Sequence, residues 1–502
     1  MMCAAGRFVS TQTQRLKGVV PHPVARRLLI VLCAGWTVCF GPAFAETVPM
    51  GSLLLHKSVV NGRYFAMPND RLVYLQGGYE GSELQDYVFD GSLPSDFQKA
   101  MDLLARYDGN LLRLWTSESS SRIFGETATM SMPWIRSALC CAADGGHKFD
   151  LARLDVGNLA HPSPNSIHYF ERMRARVMAA RVAGIYVSIM LWHSFGWEDG
   201  LRIPESRSWS RHPFNRENNI NGVNGDVDGD GHGLELGSIG QDFTPLQEAY
   251  VRQVVDAVGD LDNVLYEICN ECYDTPATNE WQQYFIDFIH AYETRNVFRH
   301  PVGMTSLQNF NNQVLMKSTA DFISPGGPSL EDNPPANAKA NVSVMDMDHI
   351  VPCPLQFGMP HNSPQWPWKA FTRGYNLWYI YCSGYGTPNP AEAIVLMRMG
   401  QTRSYANRMS LATAIPETDP SVCSTGYCLM SPEHVLGFLP EGGSITLTLP
   451  TEGTWSVEWF DPASGNTTVA PSARGGMRTL AAPFPGEAVV FLVRNIPLPP
   501  ES

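Results

Sequence analysis

The chain has 502 residues, 44% hydrophobic and 17% charged, with a formal net charge of −13. Those values suit a soluble globular protein of one to three domains. The acidity excludes nucleic acid and anionic membrane surfaces as natural partners and leaves a neutral or cationic one.

The N-terminus reads separately. Arg15, Lys17, Arg26 and Arg27 precede the apolar run LLIVLCAGWTVCF (28–40), and Ala43-Phe44-Ala45 has the small-x-small form of a cleavage site. Residues 1–45 therefore read as a secretory signal, and the run is too short to span a bilayer comfortably. The expected location is secreted or periplasmic, with no membrane association after cleavage. Its removal takes five basic residues and no acidic one, moving the net charge from −13 to −18. Eight cysteines remain: Cys140, Cys141, Cys269, Cys272, Cys353, Cys382, Cys423 and Cys428. An even number in an exported chain favours disulfides, with buried free thiols as the alternative. Cys269-x-x-Cys272 has no second CxxC or His pair at zinc-ligand spacing.

From residue 71 to 381 apolar runs alternate with helical patterns. Strands are expected at 71–77, 110–116, 185–193, 263–271, 300–306, 320–325, 342–348 and 376–381. Helices are expected at 95–109, 166–184, 244–260, 279–293 and 366–374. Ser95 with Gln98, and Thr244 with Gln247, have capping-box spacing. Insertions fall at about 117–165 and 197–243. Strands separated by helices imply a parallel sheet, and eight of them imply a closed (β/α)₈ barrel, with a doubly wound open sheet as the alternative. QGGYEG after the first strand is not GxGxxG, so dinucleotide binding has no support. A helix at 391–409 follows. Beyond it, short apolar runs at ten-residue spacing with Pro, Gly and Asp breaks predict a small antiparallel β-sandwich. The expected organisation is thus a 46–410 barrel and a 411–502 sandwich.

In such a barrel, functional groups stand at the C-terminal ends of the strands. Those ends carry Arg113, Trp115 and Thr116; Trp192 and His193; Asn270 and Glu271; Asp346, Asp348 and His349; and Trp378, Tyr379 and Tyr381. Two acidic strand ends across one mouth suit glycoside hydrolysis, one protonating the leaving oxygen and the other attacking carbon or activating water. Glu271 is the expected proton donor. Asp346 and Asp348 share a strand face by parity, so alternation does not separate them; Asp348, nearer the strand end, is favoured. Asn270, Arg113, His193, His349, Trp115, Trp192 and Tyr273 are candidates for holding a sugar. Each has a plainer reading: Arg113 as an ion-pair partner, His193 as a core histidine, His349 as an orienter, and the last strand's aromatics as core. Glu267 reads as a buried ion-pair partner.

GNLLRLW, NVLYEICNE and HPVGMTS resemble the second, fourth and fifth strands of the clan A glycoside hydrolases, which include the family 5 cellulases and mannanases. DMDH followed by WPWKAFTRGYN is similar to secreted glycosidases of the apiosidase-like group, which end in a small β-sandwich carrying a collagen-binding label. The resemblance covers about residues 58–495. It implies Glu271 as acid/base, Asn270 as the Asn preceding it and Arg113 as the second-strand Arg. The clan places a Glu nucleophile at strand seven, where this chain has Asp346 and Asp348.

Asp226, Asp228 and Asp230 before Gly231 match the first half of a calcium loop, although position 12 is Gly237 and not Glu. A structural calcium and a flexible acidic turn are the two readings; no other cofactor is required. Two rival functions stand beside the hydrolase. One is a non-catalytic glycan-binding barrel. The other is a metal-dependent hydrolase built on Asp226–Asp230, His232 and His193. The oligomeric state is not legible.

Overall fold

The computed structural model describes residues 49–81, 83–85, 96–116, 131–202, 207–337, 341–350, 363–381 and 386–495. Residues 1–45, read from the sequence as a signal, and Ser95, Cys353 and Cys382 lie outside them. Eight parallel strands close into a barrel: β1 (Gln76–Tyr79), β2 (Leu111–Trp115), β3 (Tyr186–His193), β4 (Val264–Asn270), β5 (Val302–Thr305), β6 (Phe322–Ser324), β7 (Val342–Asp346) and β8 (Asn376–Ile380). Pairing of β8 with β1, Leu377 opposite Gln76 through Ile380 opposite Tyr79, closes the ring and rules out the open sheet. Every residue of these strands is buried. Helices cover one face and side chains fill the other, as all-parallel sheets require.

β1 lies later than its apolar run suggests. Leu72–Val73 pairs instead with Phe65–Ala66, in a three-stranded sheet that begins at His56–Lys57. The barrel strand is QGGY. A Cβ at Gly77 would lie 1.7 Å from the Leu111 carbonyl oxygen, and one at Gly78 would lie 2.2 Å from that of Tyr379. Both flanking strands approach where a side chain would stand, so the glycines are strand residues and not a turn. Gly77→Ala is expected to cost about 1–3 kcal/mol, the usual range for overpacking, read as a lowered denaturant midpoint.

The helices follow their amphipathic patterns. In α1 (Phe97–Arg106), Phe97, Ala100, Met101 and Leu104 form the buried stripe. Asp96 caps it, its carboxylate accepting from the Gln98 and Lys99 amides at 3.0 and 3.4 Å, one residue beyond the expected Ser95. α2 (Tyr169–Val182), α3 (Thr244–Val258) and α4 (Pro276–Tyr292) follow; the Thr275 hydroxyl caps α4 by accepting from the Thr278 amide at 3.1 Å. The Thr244/Gln247 box does not form. Thr244 lies inside the first turn of α3, and Gln247 instead donates to the Leu236 carbonyl at 2.9 Å and accepts from the Trp281 indole at 3.2 Å. Two insertions lean on each other above the barrel. The Trp134–Cys140/His147–Leu154 hairpin meets the loop after β3 through Ile220 N to Phe149 O at 2.9 Å and Leu151 N to Asn221 Oδ1 at 2.7 Å.

After α5 (Asn312–Lys317), α6 (Trp366–Thr372) and α7 (Pro390–Ala406) come six antiparallel strands: β9 (Ile415–Glu417), β10 (Cys428–Met430), β11 (His434–Leu439), β12 (Ser444–Phe460), β13 (Thr467–Ala481) and β14 (Ala488–Asn495). They form one hydrogen-bonded sheet ordered β9-β10-β11-β14-β12-β13. One face has its own core around Trp455, Trp459, Leu447 and Val490. The other continues the barrel's core: Trp368 of α6 stacks on Phe438 at 6.2 Å, and Tyr405 of α7 meets Phe460 and Phe491 at 5.3 and 5.5 Å. Trp366 is likewise buried, its indole N–H donating to the Met345 sulfur at 3.2 Å, so both tryptophans pin their helix.

Cys423 bonds Cys428, as their spacing suggests. From the sequence, Cys272 could equally have reached Cys140 or Cys141 in the insertion after β2; that bridge is not made. Cys140 and Cys141 bond each other, and Cys272 bonds Cys269, whose Cα lies 5.8 Å away, within the normal range for a bridge. The turn after β4 brings Cys272 back onto its own strand.

Candidate active site

Arg113 of β2 stands at the centre of the barrel, fully buried. Its guanidinium donates to both oxygens of Glu267 at 3.1–3.2 Å, to Asp346 Oδ2 at 3.0 Å and to Asn270 Oδ1 at 3.1 Å. The rings of Tyr79, Trp115 and Trp378 box it at 4.8–5.1 Å. Burial alone would lower its pKa; the charges of Glu267 and Asp346 outweigh that and hold the cation. Glu267 also accepts from the Ser188 and Thr305 hydroxyls at 2.7 and 2.8 Å. With all its acceptor positions engaged, Glu267 is an anchor, as its plainer reading has it.

Arg113 aligns the mouth. Asn270 Oδ1 accepts from both Arg113 and His349 Nε2, the latter at 2.9 Å. Burial pushes the His349 pKa down to about 3, so the ring is neutral and its Nε2 carries the hydrogen. Two donors on one oxygen fix the amide's orientation. They leave the buried Asn270 Nδ2 without a partner among the described residues.

Glu271 follows Asn270 and is the first residue beyond β4. Its backbone is left-handed, φ +47°, a conformation that non-glycine residues rarely adopt. Its carbonyl accepts from Ser194 Oγ at 2.6 Å and from Arg202 Nη1 at 3.4 Å. Arg202 also comes within 3.7 Å of the Glu271 carboxylate, while its Nε donates to Glu198 at 2.8 Å. Arg202 lies over the Phe195 ring at 3.9 Å, and Tyr273 donates to Glu198. Tyr79, Ser194, Glu198 and Arg202 escaped sequence reading. The signal was present in GYE at the end of β1 and in SFGWEDGLR just after β3.

Across the mouth, Asp346 ends β7 and Asp348 sits in the turn beyond it. Asp346 is fully buried and fully engaged: Tyr79 OH donates at 2.8 Å, Arg113 at 3.0 Å and the Asp348 amide at 3.1 Å. Asp348 reaches the cleft. A carboxylate oxygen of Asp348, one of Glu271 and a ring nitrogen of His349 all lie within 4.8 Å of one another. Burial, then the charges of Glu271 and Asp346, push the Asp348 pKa well above the usual carboxylate range.

That shift has a stability consequence. Folded Asp348 holds its proton more tightly than unfolded Asp348, so ionising it costs folding stability. The cost is absent below the ordinary carboxylate pKa of about 4 and grows as pH rises through the folded value. Asp348→Asn is therefore expected to unfold at a higher temperature than the native chain at neutral pH, with the gap closing toward about pH 4. Equal midpoints at both pH values would remove the electrostatic account.

Not every candidate meets at the mouth. His193 does: it lies 5.9 Å from the Trp115 ring, with burial pushing its pKa down to about 3. Tyr273 joins through Glu198 and Arg202. Trp192 does not, because adjacent strand residues face opposite ways. Its indole packs among Trp281, Phe285 and Tyr250 in the helical layer. The acidic loop also differs from its reading. Asp226, Asp228 and Glu235, and not Asp230, have carboxylates within 4.8 Å of one another. Burial, and then Asp228 and Asp230, raise the Glu235 pKa. Among the described residues, His193 and His232 join no ligand cluster with these acids, so the centre expected for a metal-dependent hydrolase is not assembled.

No protein-family model matches this chain, and no curated protein matches it. Solved structures do. A glycoside hydrolase aligns with a TM-score of 0.57 at 10% identity, over 89% of this chain and 99% of its own. A family 5 glycoside hydrolase from Bacteroides vulgatus ATCC 8482 aligns with a TM-score of 0.56 at 12% identity, over 89% and 95%. The likeness is one of fold. It covers the closed barrel and extends beyond it. No helix among the described residues is long and apolar enough to cross a membrane.

Proposed function

We propose that this chain is an exported glycoside hydrolase that cleaves O-glycosidic bonds of a poly- or oligosaccharide, with Glu271 as proton donor and Asp348 as nucleophile. The observation that carries the reading is the approach of the Glu271 and Asp348 carboxylates to within 4.8 Å across the barrel mouth. A retaining mechanism needs carboxyl groups about 5–5.5 Å apart, whereas an inverting one leaves about 6.5–9.5 Å for a water. The spacing favours retention. The two facing carboxyls hold one proton between them. When Glu271 carries it, the Asp348 carboxylate attacks the anomeric carbon while Glu271 protonates the leaving oxygen, and Glu271 then takes a proton from the water that releases the sugar. Asp346, enclosed by Arg113 and Tyr79, orients Asp348 through its amide. Asn270 Nδ2, without a partner among the described residues, donates to a substrate hydroxyl. The two carboxyls supply the chemistry, so no cofactor is needed.

A panel of neutral and uronic plant and microbial glycans tests this. Cleavage followed by proton NMR of the fresh product is expected to show the substrate's own anomeric configuration. Inverted product would return the role of base to Asp348, and binding of glycans with no cleavage would overturn the hydrolase.

A further inference from the structure

The Cys269–Cys272 bridge spans Asn270 and the proposed proton donor, Glu271. Cys269 is buried in β4, Asn270 ends the strand, Glu271 takes the left-handed turn, and Cys272, also buried, returns to the barrel wall. The ring so closed contains Asn270 and Glu271 and no other intervening residue. Disulfides stabilise a fold more as the loop they close lengthens. A bridge at a sequence separation of 3 therefore contributes least to global stability and most to local geometry. The geometry is one that a Glu does not choose for itself. From outside the ring, Ser194 and Arg202 hydrogen-bond the Glu271 carbonyl, and Arg202 approaches the carboxylate only to 3.7 Å.

We infer that the Cys269–Cys272 disulfide is a positioning element that holds Glu271 in its left-handed turn and so aims its carboxyl at the leaving oxygen. The inference rests on the reading of Glu271 as proton donor.

The full chain carrying Cys269→Ala with Cys272→Ala tests it by two readouts. The Cys423→Ala/Cys428→Ala pair serves as control, and Cys269→Val/Cys272→Ala is a second variant that refills the strand if the first does not fold. One readout is a crystal structure, expected to show residue 271 outside the left-handed region. The other is turnover of two aryl glycosides of the sugar the native chain cleaves. 2,4-Dinitrophenolate leaves without a proton, whereas phenol needs one. General acid catalysis contributes about 10²–10⁴-fold, so the phenyl glycoside is expected to lose at least about 10-fold. The dinitrophenyl glycoside should be nearly unaffected. A left-handed residue 271 in the bridgeless chain overturns the inference. A moved residue 271 with equal losses on both substrates keeps the positioning role and removes the proton-donor reading.

Discussion

Glu271→Gln is expected to lower kcat/KM on the cleaved glycan by about 10²–10⁴-fold, the usual contribution of a positioned general acid. Gln keeps the volume of Glu and can still donate a hydrogen bond, but it cannot give up a proton to a departing oxygen. The fold should not notice. The side chain is 20% exposed, its nearest cation is 3.7 Å away, and the contacts that hold the residue are made to its carbonyl. Unfolding midpoints of the two proteins should therefore agree within the ±0.5 kcal/mol typical of such sites. The neutral histidines sharpen the result. With His193 and His349 both pushed to about 3, neither titrates between pH 5 and 8. Activity surviving within about 10-fold would place the proton elsewhere and remove Glu271 from its role.

Much of the barrel was legible because parallel strands buried on both faces read as unbroken apolar runs, and because Gly184 closes its helix in the left-handed conformation; after α1 that conformation falls to Asp108, φ +55°, and not to Gly109. β1 was not, since Gly77 and Gly78 look like a turn until the backbone of β2 and β8 is seen to need their space. At the site, position along a strand located Arg113, Asn270, Glu271 and Asp346, because strand ends in a barrel share one rim. Parity then separates His193, facing in, from Trp192, facing the helices. Asp346 and Asp348 stayed unresolved because Asp348 lies past the strand, where parity no longer applies. Arg202 and Glu198 come from an insertion whose approach to Glu271 is a matter of tertiary folding. The same holds for cysteine pairing: no spacing rule reveals that a four-residue turn would close on itself.

Arg113→Met is expected to destabilise the chain by about 3–5 kcal/mol, the cost of removing one partner from a buried ionic cluster. Met conserves the length and apolar stem but leaves Glu267 and Asp346 in a dry aromatic box, with Ser188, Thr305, Tyr79 and the Asp348 amide as their remaining donors. The pH dependence gives the cause. Burial already raises the Asp346 pKa against the pull of Arg113, and removing the cation raises it further, so the deficit is full at neutral pH and shrinks as pH falls and the carboxyl protonates. Simple loss of packing would give a deficit independent of pH. The double variant Arg113→Met/Glu267→Gln removes one orphaned charge and is expected to recover part of the loss, a coupling that denaturant midpoints resolve. A single-variant cost under about 1 kcal/mol would show that Arg113 is not the keystone of these carboxylates. The site's architecture would then have to rest on Asn270 and His349 alone, which a neutral amide and a neutral ring cannot supply for two buried acids.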